Sequence, residues 1–397
     1  MGGRGVTEAR SVLVVTGIGG WVDGVPQTEK IETHIHPLAD AVDQVDLVSP
    51  GPTTDREDIT FHQISKSRWQ FLTLLKQFLL AVRLATTGKY DLIVSYALVP
   101  YGLFALVCGQ VSRTPAHLGI IGMDLDVHAE EWYGPVIRWL FRRFDIISVA
   151  GEVYRQRLIE YGVRPSNIVI LYHPVSAEFF TTERAPDPEY DLLWLTRLSP
   201  VKDPLLFVEI LEELRNRSLS VTAAIVGTGP LESEVERALD QRGLSESVAL
   251  PGWTNEPVEY YRNASVYVMT SRREMLPLSL VEAMYVGVPS VVPALGAIPD
   301  IVEDGKSGLV VEDRTVEAYT DRIEELLRSE SVRTTMGDNA TAIYSKTSQR
   351  AVANTWSEIL GGLDTADGNQ LPTATTAPQS TDSHGGQTED VEITGDR

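Results

Sequence analysis

A chain of 397 residues with 43% apolar content exceeds what one hydrophobic core usually organises, so two domains are expected. The formal net charge of −21 argues against a nucleic-acid or anionic-membrane binder acting through bulk charge, because displacing counterions takes a positive footprint, and any contact with phosphate must therefore be local. The single cysteine, Cys108, leaves no intramolecular disulfide and no multi-cysteine metal site.

From the amino terminus, the apolar run 12–15 is too short for a signal-peptide core and no small-residue cleavage site follows, so the mature protein is expected to start at or near Met1. Apolar or β-branched runs at 12–16, 45–48, 92–95, 116–120 and 146–149 alternate with helical patterns, the βαβ order of a parallel sheet with helices on both faces. The stripe Trp69, Phe71, Leu72, Leu74, Leu75, Phe78, Leu79 and Val82 has helical spacing and reads as a core face. The most membrane-like stretch, 92–111, is preceded by Asp91 and broken by Pro100, so it reads as a strand and a buried helix, with Cys108 in the core. No transmembrane helix is expected. Arg138, Trp139, Phe141, Arg142 and Arg143 make a basic, aromatic helix that fits either a membrane surface or a solvated face with Trp139 turned inward.

Between 169 and 188 the pattern lapses into Pro-containing, polar chain, and βα alternation then restarts with strands at 192–195, 222–226, 248–250, 266–269, 290–292 and 309–311. The expected fold class is α/β: two Rossmann-like, doubly wound domains, 1–175 and 176–345, facing each other across a cleft, followed by a helix over 346–361 and a disordered acidic tail over 362–397. Ligands of such sheets bind beyond the carboxyl ends of the strands. Only seven of the 34 basic residues are lysines, and excess acid with scarce Lys resembles proteins of salt-in halophiles, the haloarchaea among them.

Arg197 and Lys202 follow the strand 192–195, where two cations can grip a diphosphate and neutralise it as it leaves. Further on, Glu274 and Glu282 stand eight positions apart with a helix start between them, and a helix amino terminus suits a phosphate. Together with the turn Gly227-Thr228-Gly229, the loop Pro251-Gly252-Trp253 and the segment from Gly296 to Asp300, these residues resemble the retaining glycosyltransferases of the two-Rossmann, B-type (GT-B) fold marked by a Glu-x7-Glu motif, of the family 4 or group 1 type.

The resemblance implies a donor diphosphate held by Arg197 and Lys202, ribose by Glu282 and the donor sugar by Glu274. It also implies phosphate contacts from the backbone N–H groups of Leu276 and Leu278 and close passage of Gly227 and Gly229 past the nucleotide, although those glycines also suit a plain tight turn. In the first half it places Gly19 and Gly20 near the donor phosphate and acceptor, and Asp124 with Asp126 near the sugar, His128 being as readily a packing residue. Met275 and Pro277 depart from the glycines many relatives carry after the first motif Glu, and His173-Pro174-Val175 departs from the usual turn between domains.

The implied activity is retaining transfer, without cofactor or divalent metal, from a nucleotide-diphosphate sugar to a glycan or polyprenyl-linked acceptor, by a cytoplasmic enzyme reaching the inner face of the cell membrane and binding no nucleic acid. Front-face attack, in which the leaving phosphate takes the acceptor proton, is favoured over a covalent glycosyl-enzyme. Two other readings stand beside it: a non-catalytic relative, against which the intact Arg197, Lys202, Glu274 and Glu282 speak, and an NAD-dependent oxidoreductase starting at Gly17-Ile18-Gly19-Gly20, whose third glycine is replaced by Val22.

Overall fold

The computed structural model describes residues 9–363 apart from 18–20, 23–24, 27, 52–55, 65–67 and 122–123. Gly19 and Gly20, the turn residues expected near the acceptor, lie outside the described residues, as does everything after Leu363.

Two parallel sheets organise the chain. The first contains β1 (Ser11–Val15), β2 (Gln44–Ser49), β3 (Ile59–Gln63), β4 (Leu92–Tyr96), β5 (Ala116–Gly119), β6 (Ile146–Val149) and β7 (Ile168–Ile170), in the order β3-β2-β1-β4-β5-β6-β7. The second contains β8 (Tyr190–Leu195), β9 (Ala223–Val226), β10 (Val248–Gly252), β11 (Ala264–Val268), β12 (Ser290–Pro293) and β13 (Leu309–Val311), in the order β10-β9-β8-β11-β12-β13. Each sheet therefore winds outward in both directions from its first strand, which puts a switch point beside β1 and another beside β8. Strand sequences such as VLVV and LLW are buried on both faces, as covered parallel strands require.

In the first domain Leu13, Val15 and Ile93 meet α1 (Gln70–Thr87) and α2 (Leu103–Ser112), while α3 (Gly134–Phe141) and α4 (Glu152–Glu160) continue the same layer over β5 and β6. The opposite face, Val12, Val14 and Val94, is covered by the short helices Thr28–His34 and His36–Ala39 and by the last helix of the chain. In the second domain, α5 (Pro204–Asn216) packs Phe207 and Leu211 beneath Leu192 and Trp194, and α6 (Leu278–Val286) buries Leu280 and Met284 against Leu193 on the other face.

The last helix, α7 (Gln349–Leu363), runs two residues beyond the span expected for it and returns to the first domain. There it buries Val352, Trp356, Ile359 and Leu360 among Val12, Val14 and Leu92. The two halves also touch near the cleft. Asp300 accepts a hydrogen bond from the Glu152 backbone N–H at 2.7 Å, satisfying a donor in the first turn of α4, and burial raises the Asp300 carboxyl pKa. Gly151 permits this approach, since a Cβ there would sit 2.6 Å from that of Ala297.

α1 overturns its expected role. Its stripe of large apolar residues was expected to face the core, yet the buried residues of the helix are Gln77, Ala81 and Ala85, with the Gln77 amide donating to the carbonyls of Thr16 at 2.9 Å and Val48 at 3.0 Å. Trp69, Phe71, Leu72, Leu75 and Leu79 are exposed instead. The helix in 92–111 is likewise only half covered: Ala105, Cys108 and Gly109 are buried, Val107 and Val111 are not.

Candidate active site

The loop after β8 carries Arg197 and Lys202 and ends at Asp203, which caps α5 at φ 54°. Asp203 holds that strained position because its carboxylate anchors Arg314 at 2.7 Å and Arg272 at 2.9 Å, fixing the loop to neighbouring strand ends. Lys202 Nζ lies 2.5 Å from Glu274 Oε1, so the two segments singled out in sequence meet in space. Glu274 is only 9% exposed, whereas Arg197 is exposed and has no ion-pair partner among the described residues.

α6 begins at Leu278, and its first carbonyl, that of Pro277, accepts from Leu280 N–H. Pro277 is thus the cap residue rather than part of the first turn, and its missing N–H lies outside the helical ladder. Leu276, Pro277, Leu278 and Ser279 bring this helix start to the wall of a cleft of about 1080 Å³, which Arg197, Lys202, Glu274 and Glu282 also line. Glu282 accepts from the buried Tyr261 hydroxyl at 2.8 Å, which holds one face of its carboxylate. Trp253, 71% exposed, stands on the same cleft with Thr254 and Asn255.

Gly227 and Gly229 line the cleft as well, and each is demanded by its own domain. A Cβ on Gly227, at φ 134°, would lie 2.1 Å from the Thr196 carbonyl, and one on Gly229 would lie 2.2 Å from that of Leu198. The turn therefore fits tightly against the Arg197 loop whatever it contributes to a ligand. Gly296, at φ 54°, plays the same part beside Glu274, whose carbonyl a Cβ would approach to 2.2 Å.

The two aspartates of the first domain separate. Asp124 is buried and accepts the Leu98 backbone N–H at 3.2 Å, with burial raising its pKa, and it lines neither cleft wall. Asp126 instead pairs with Arg157 at 2.7 Å and lines a pocket of about 360 Å³ with Tyr154, Arg272, Arg273 and Glu274. Tyr154 spans the domains there, its hydroxyl lying 3.3 Å from Asp126 and donating at 2.8 Å to the Glu274 carbonyl. His128 packs and bonds locally, 2.7 Å from the Tyr133 hydroxyl. Among the described residues no three His, Cys, Asp or Glu side chains converge as a metal site.

Sequence reasoning passed over Arg272, Arg273, Tyr154 and Arg157. The arginine pair stands after β11 as Arg197 stands after β8, so the same strand-end logic applied to it. Tyr154 and Arg157, three apart on α4, face the pocket only because the domains meet, and nothing local in the sequence marks that.

Geometry of this kind, two doubly wound sheets with cations and a helix start converging between them, defines a class of sugar-transferring enzymes. Residues 175–342 match the family of glycosyl transferases group 1, and residues 31–173 match the glycosyl transferase 4-like domain. The chain belongs to the group 1 glycosyltransferases, with the GT-B fold. This disposes of the oxidoreductase reading of Gly17 to Gly20.

A Salmonella typhimurium protein named as a glycosyltransferase of colanic acid biosynthesis is 26% identical over 242 residues, covering 58% of this chain and 60% of its own length. A D-inositol 3-phosphate glycosyltransferase of Frankia alni is 30% identical over 243 residues, covering 55% and 56%. The matched region thus spans under two thirds of either relative. Among solved structures, Anabaena HepE with UDP and glucose superposes with a TM-score of 0.70 at 17% identity, over 89% of this chain and 100% of that one. Sucrose-phosphate synthase of Thermosynechococcus elongatus superposes at 0.68 and 16% identity, over 90% and 99%. At such identities these structures speak for the fold alone.

Proposed function

We propose that this glycosyltransferase moves a sugar from a nucleoside-diphosphate sugar to a glycan or polyprenyl-linked acceptor, with retention and without a divalent metal. The observation that carries the reading is the meeting of Arg197, Lys202, the start of α6 and Glu282 on one cleft. The diphosphate lies against Arg197, Lys202 and the first-turn N–H groups of α6, and Glu282 takes the ribose hydroxyls. As the glycosidic bond breaks, charge grows on the β-phosphate, and the two cations and helix start stabilise it there. The same phosphate oxygen accepts the proton of the acceptor hydroxyl, which attacks from the face the phosphate leaves, so configuration is kept. Glu274, fixed by Lys202 and by Tyr154 across the cleft, orients the sugar, and Asp126, which lines the interdomain pocket with Glu274, stands near that sugar. The matched HepE structure contains UDP, and the Frankia relative is named for a phosphorylated acceptor, which supports a nucleotide donor and leaves the acceptor to experiment.

Calorimetry with UDP, GDP, ADP and NAD in multimolar KCl with chelator tests the donor site. Metal-free binding of one nucleoside diphosphate, weakened at least about tenfold by Lys202→Ala and by Glu282→Ala, is expected. Binding of NAD alone, or of nothing by a folded chain, would sink the proposal.

The acidic balance also supports a cytoplasm of concentrated salt, where excess carboxylates repel one another until they are screened. The melting temperature is expected to rise by more than about 10 °C between 0.1 and 3 M KCl. A flat profile would remove the halophile reading and leave the enzyme reading intact.

A further inference from the structure

The outer face of the first domain departs from the rest of the molecule in charge. The chain carries 55 carboxylate residues, yet between Asp58 and Asp124 the only one is Asp91. Asp91 accepts the Ser11 N–H at 2.8 Å, at the amino end of the sheet, away from the cleft. No carboxylate falls between Glu131 and Asp145 either. Those two segments contain α1, α2 and α3, which lie side by side on one face of the sheet.

Arg68, Lys76, Arg83, Arg113, Arg142 and Arg143 are all exposed on this face, and none has an ion-pair partner among the described residues. Between them stand apolar side chains that the fold leaves uncovered. α1 presents small Ala81 and Ala85 to the sheet and large Phe71, Leu75 and Leu79 to solvent, with Phe71 72% exposed. Val107 and Val111 of α2 and Val136 and Trp139 of α3 extend the patch, and the Arg143 guanidinium lies 4.4 Å over the Trp139 ring. A groove of about 680 Å³ between α2 and α3 is lined by Val107, Arg113, Trp139 and Arg143, and by one carboxylate, Asp145, which accepts the Ala116 N–H at 2.9 Å. Exposed apolar side chains that adjoin one another and are rimmed by polar groups mark an interaction surface, unlike single scattered ones.

A helix that follows a parallel strand starts at that strand's carboxyl end, the edge on which the cleft opens. Trp69 and Phe71 at the start of α1, and Trp132, 88% exposed just before α3, therefore stand toward the cleft.

We propose that this face docks on an anionic lipid bilayer, its apolar side chains entering the headgroup boundary and its cations meeting the lipid phosphates, so that the cleft opens along the membrane surface. The local charge argues for that occupant: a second copy would set an identical cationic patch against this one, whereas anionic headgroups complement six cations that have no ion-pair partner among the described residues. The proposal rests on the lipid-linked acceptor above for its purpose, but vesicle binding needs no acceptor and stands or falls separately.

The test is flotation of the full chain with phosphatidylglycerol or phosphatidylcholine vesicles, in the lowest salt at which circular dichroism shows it folded. Wild type is expected to float with phosphatidylglycerol and weakly with phosphatidylcholine. Phe71→Ser with Leu75→Ser and Leu79→Ser is expected to lower partitioning at least about tenfold, and Lys76→Glu with Arg83→Glu and Arg143→Glu to abolish the preference for anionic lipid. All six positions are exposed, so both variants should melt and bind nucleotide as wild type does. Folded wild type that never floats overturns the proposal. So does a dimer dissociated by the same apolar substitutions, which assigns the face to a second copy, or flotation only after removal of 364–397, which assigns it to the chain's own acidic tail. Flotation without nucleotide binding would instead remove the donor-site reading and leave the docking surface.

Discussion

Replacing Lys202 with Met is expected to lower kcat/KM for sugar transfer by about 10²- to 10³-fold and to destabilise the fold by about 1–3 kcal/mol, two effects with different origins. The rate falls because one of the two cations facing the leaving diphosphate is gone. The stability falls because Glu274, nearly buried and 2.5 Å from Lys202 Nζ, keeps its carboxylate without a counter-ion. Arg197→Ala separates the two, since Arg197 is exposed and has no ion-pair partner among the described residues: its loss should cost a comparable factor in rate and less than about 0.5 kcal/mol in stability. Adding Glu274→Gln to Lys202→Met should recover most of the stability and none of the rate, a non-additivity that a denaturant melt and a transfer assay read together. If Lys202→Met keeps its rate within about threefold, Lys202 is a structural partner of Glu274 and not a phosphate ligand.

That the two residues would touch was not readable from their separation of 72 positions. What the sequence offered was placement: cations after one strand, a carboxylate pair around one helix start, both at carboxyl ends where a doubly wound sheet leaves room for a ligand. All six strands of the second sheet were visible because runs such as AAIV and SVVP are apolar on both faces. In the first sheet β3 escaped, since ITFHQ lies on an edge and is only partly covered, and β7 escaped because three residues following Pro165 merge with the polar connection.

The misreading of α1 has a different cause. Helical spacing of apolar residues reports that a helix has two faces, not which one meets the sheet. The deciding signals are Ala81 and Ala85, small enough for close approach to Leu13 and Ile93, and Gln77, which supplies donors for two strand carbonyls. The separation of Asp124 from Asp126 is similar in kind: two positions apart on one tight turn, one carboxylate is spent on the Leu98 N–H and the other turns to the interdomain pocket.

The return of α7 to the first domain gives the second large prediction. Trp356 is 1% exposed in the core with Val12 and Val14, and its ring meets His117 edge-on at 4.9 Å between centroids. Trp356→Ala should cost about 3–5 kcal/mol at pH 7, through lost burial and the cavity left behind. Among the described residues the buried His117 imidazole bonds only to the Ser148 hydroxyl, its Nδ1 having no partner there, and burial pushes its pKa down to about 3. The unfolded chain therefore takes up a proton near pH 6.5 that the folded chain refuses, so this contribution to stability is complete above pH 6.5 and is lost as pH falls toward 3. Between pH 6.5 and 5 the loss is about 2 kcal/mol, which His117→Phe should abolish by comparison with wild type. Carboxyls raised by burial, Asp124 and Asp300, act in the opposite sense, so the comparison with the variant, and not the wild-type slope alone, isolates the imidazole. Removing Trp356 opens a space beside that ring for water, which eases its protonation, so Trp356→Ala should cost less at pH 5 than at pH 7. Denaturant melts of the two single variants and the double variant at both pH values measure this coupling, and an equal cost of Trp356→Ala at the two values would show that the cavity closes dry around a neutral His117.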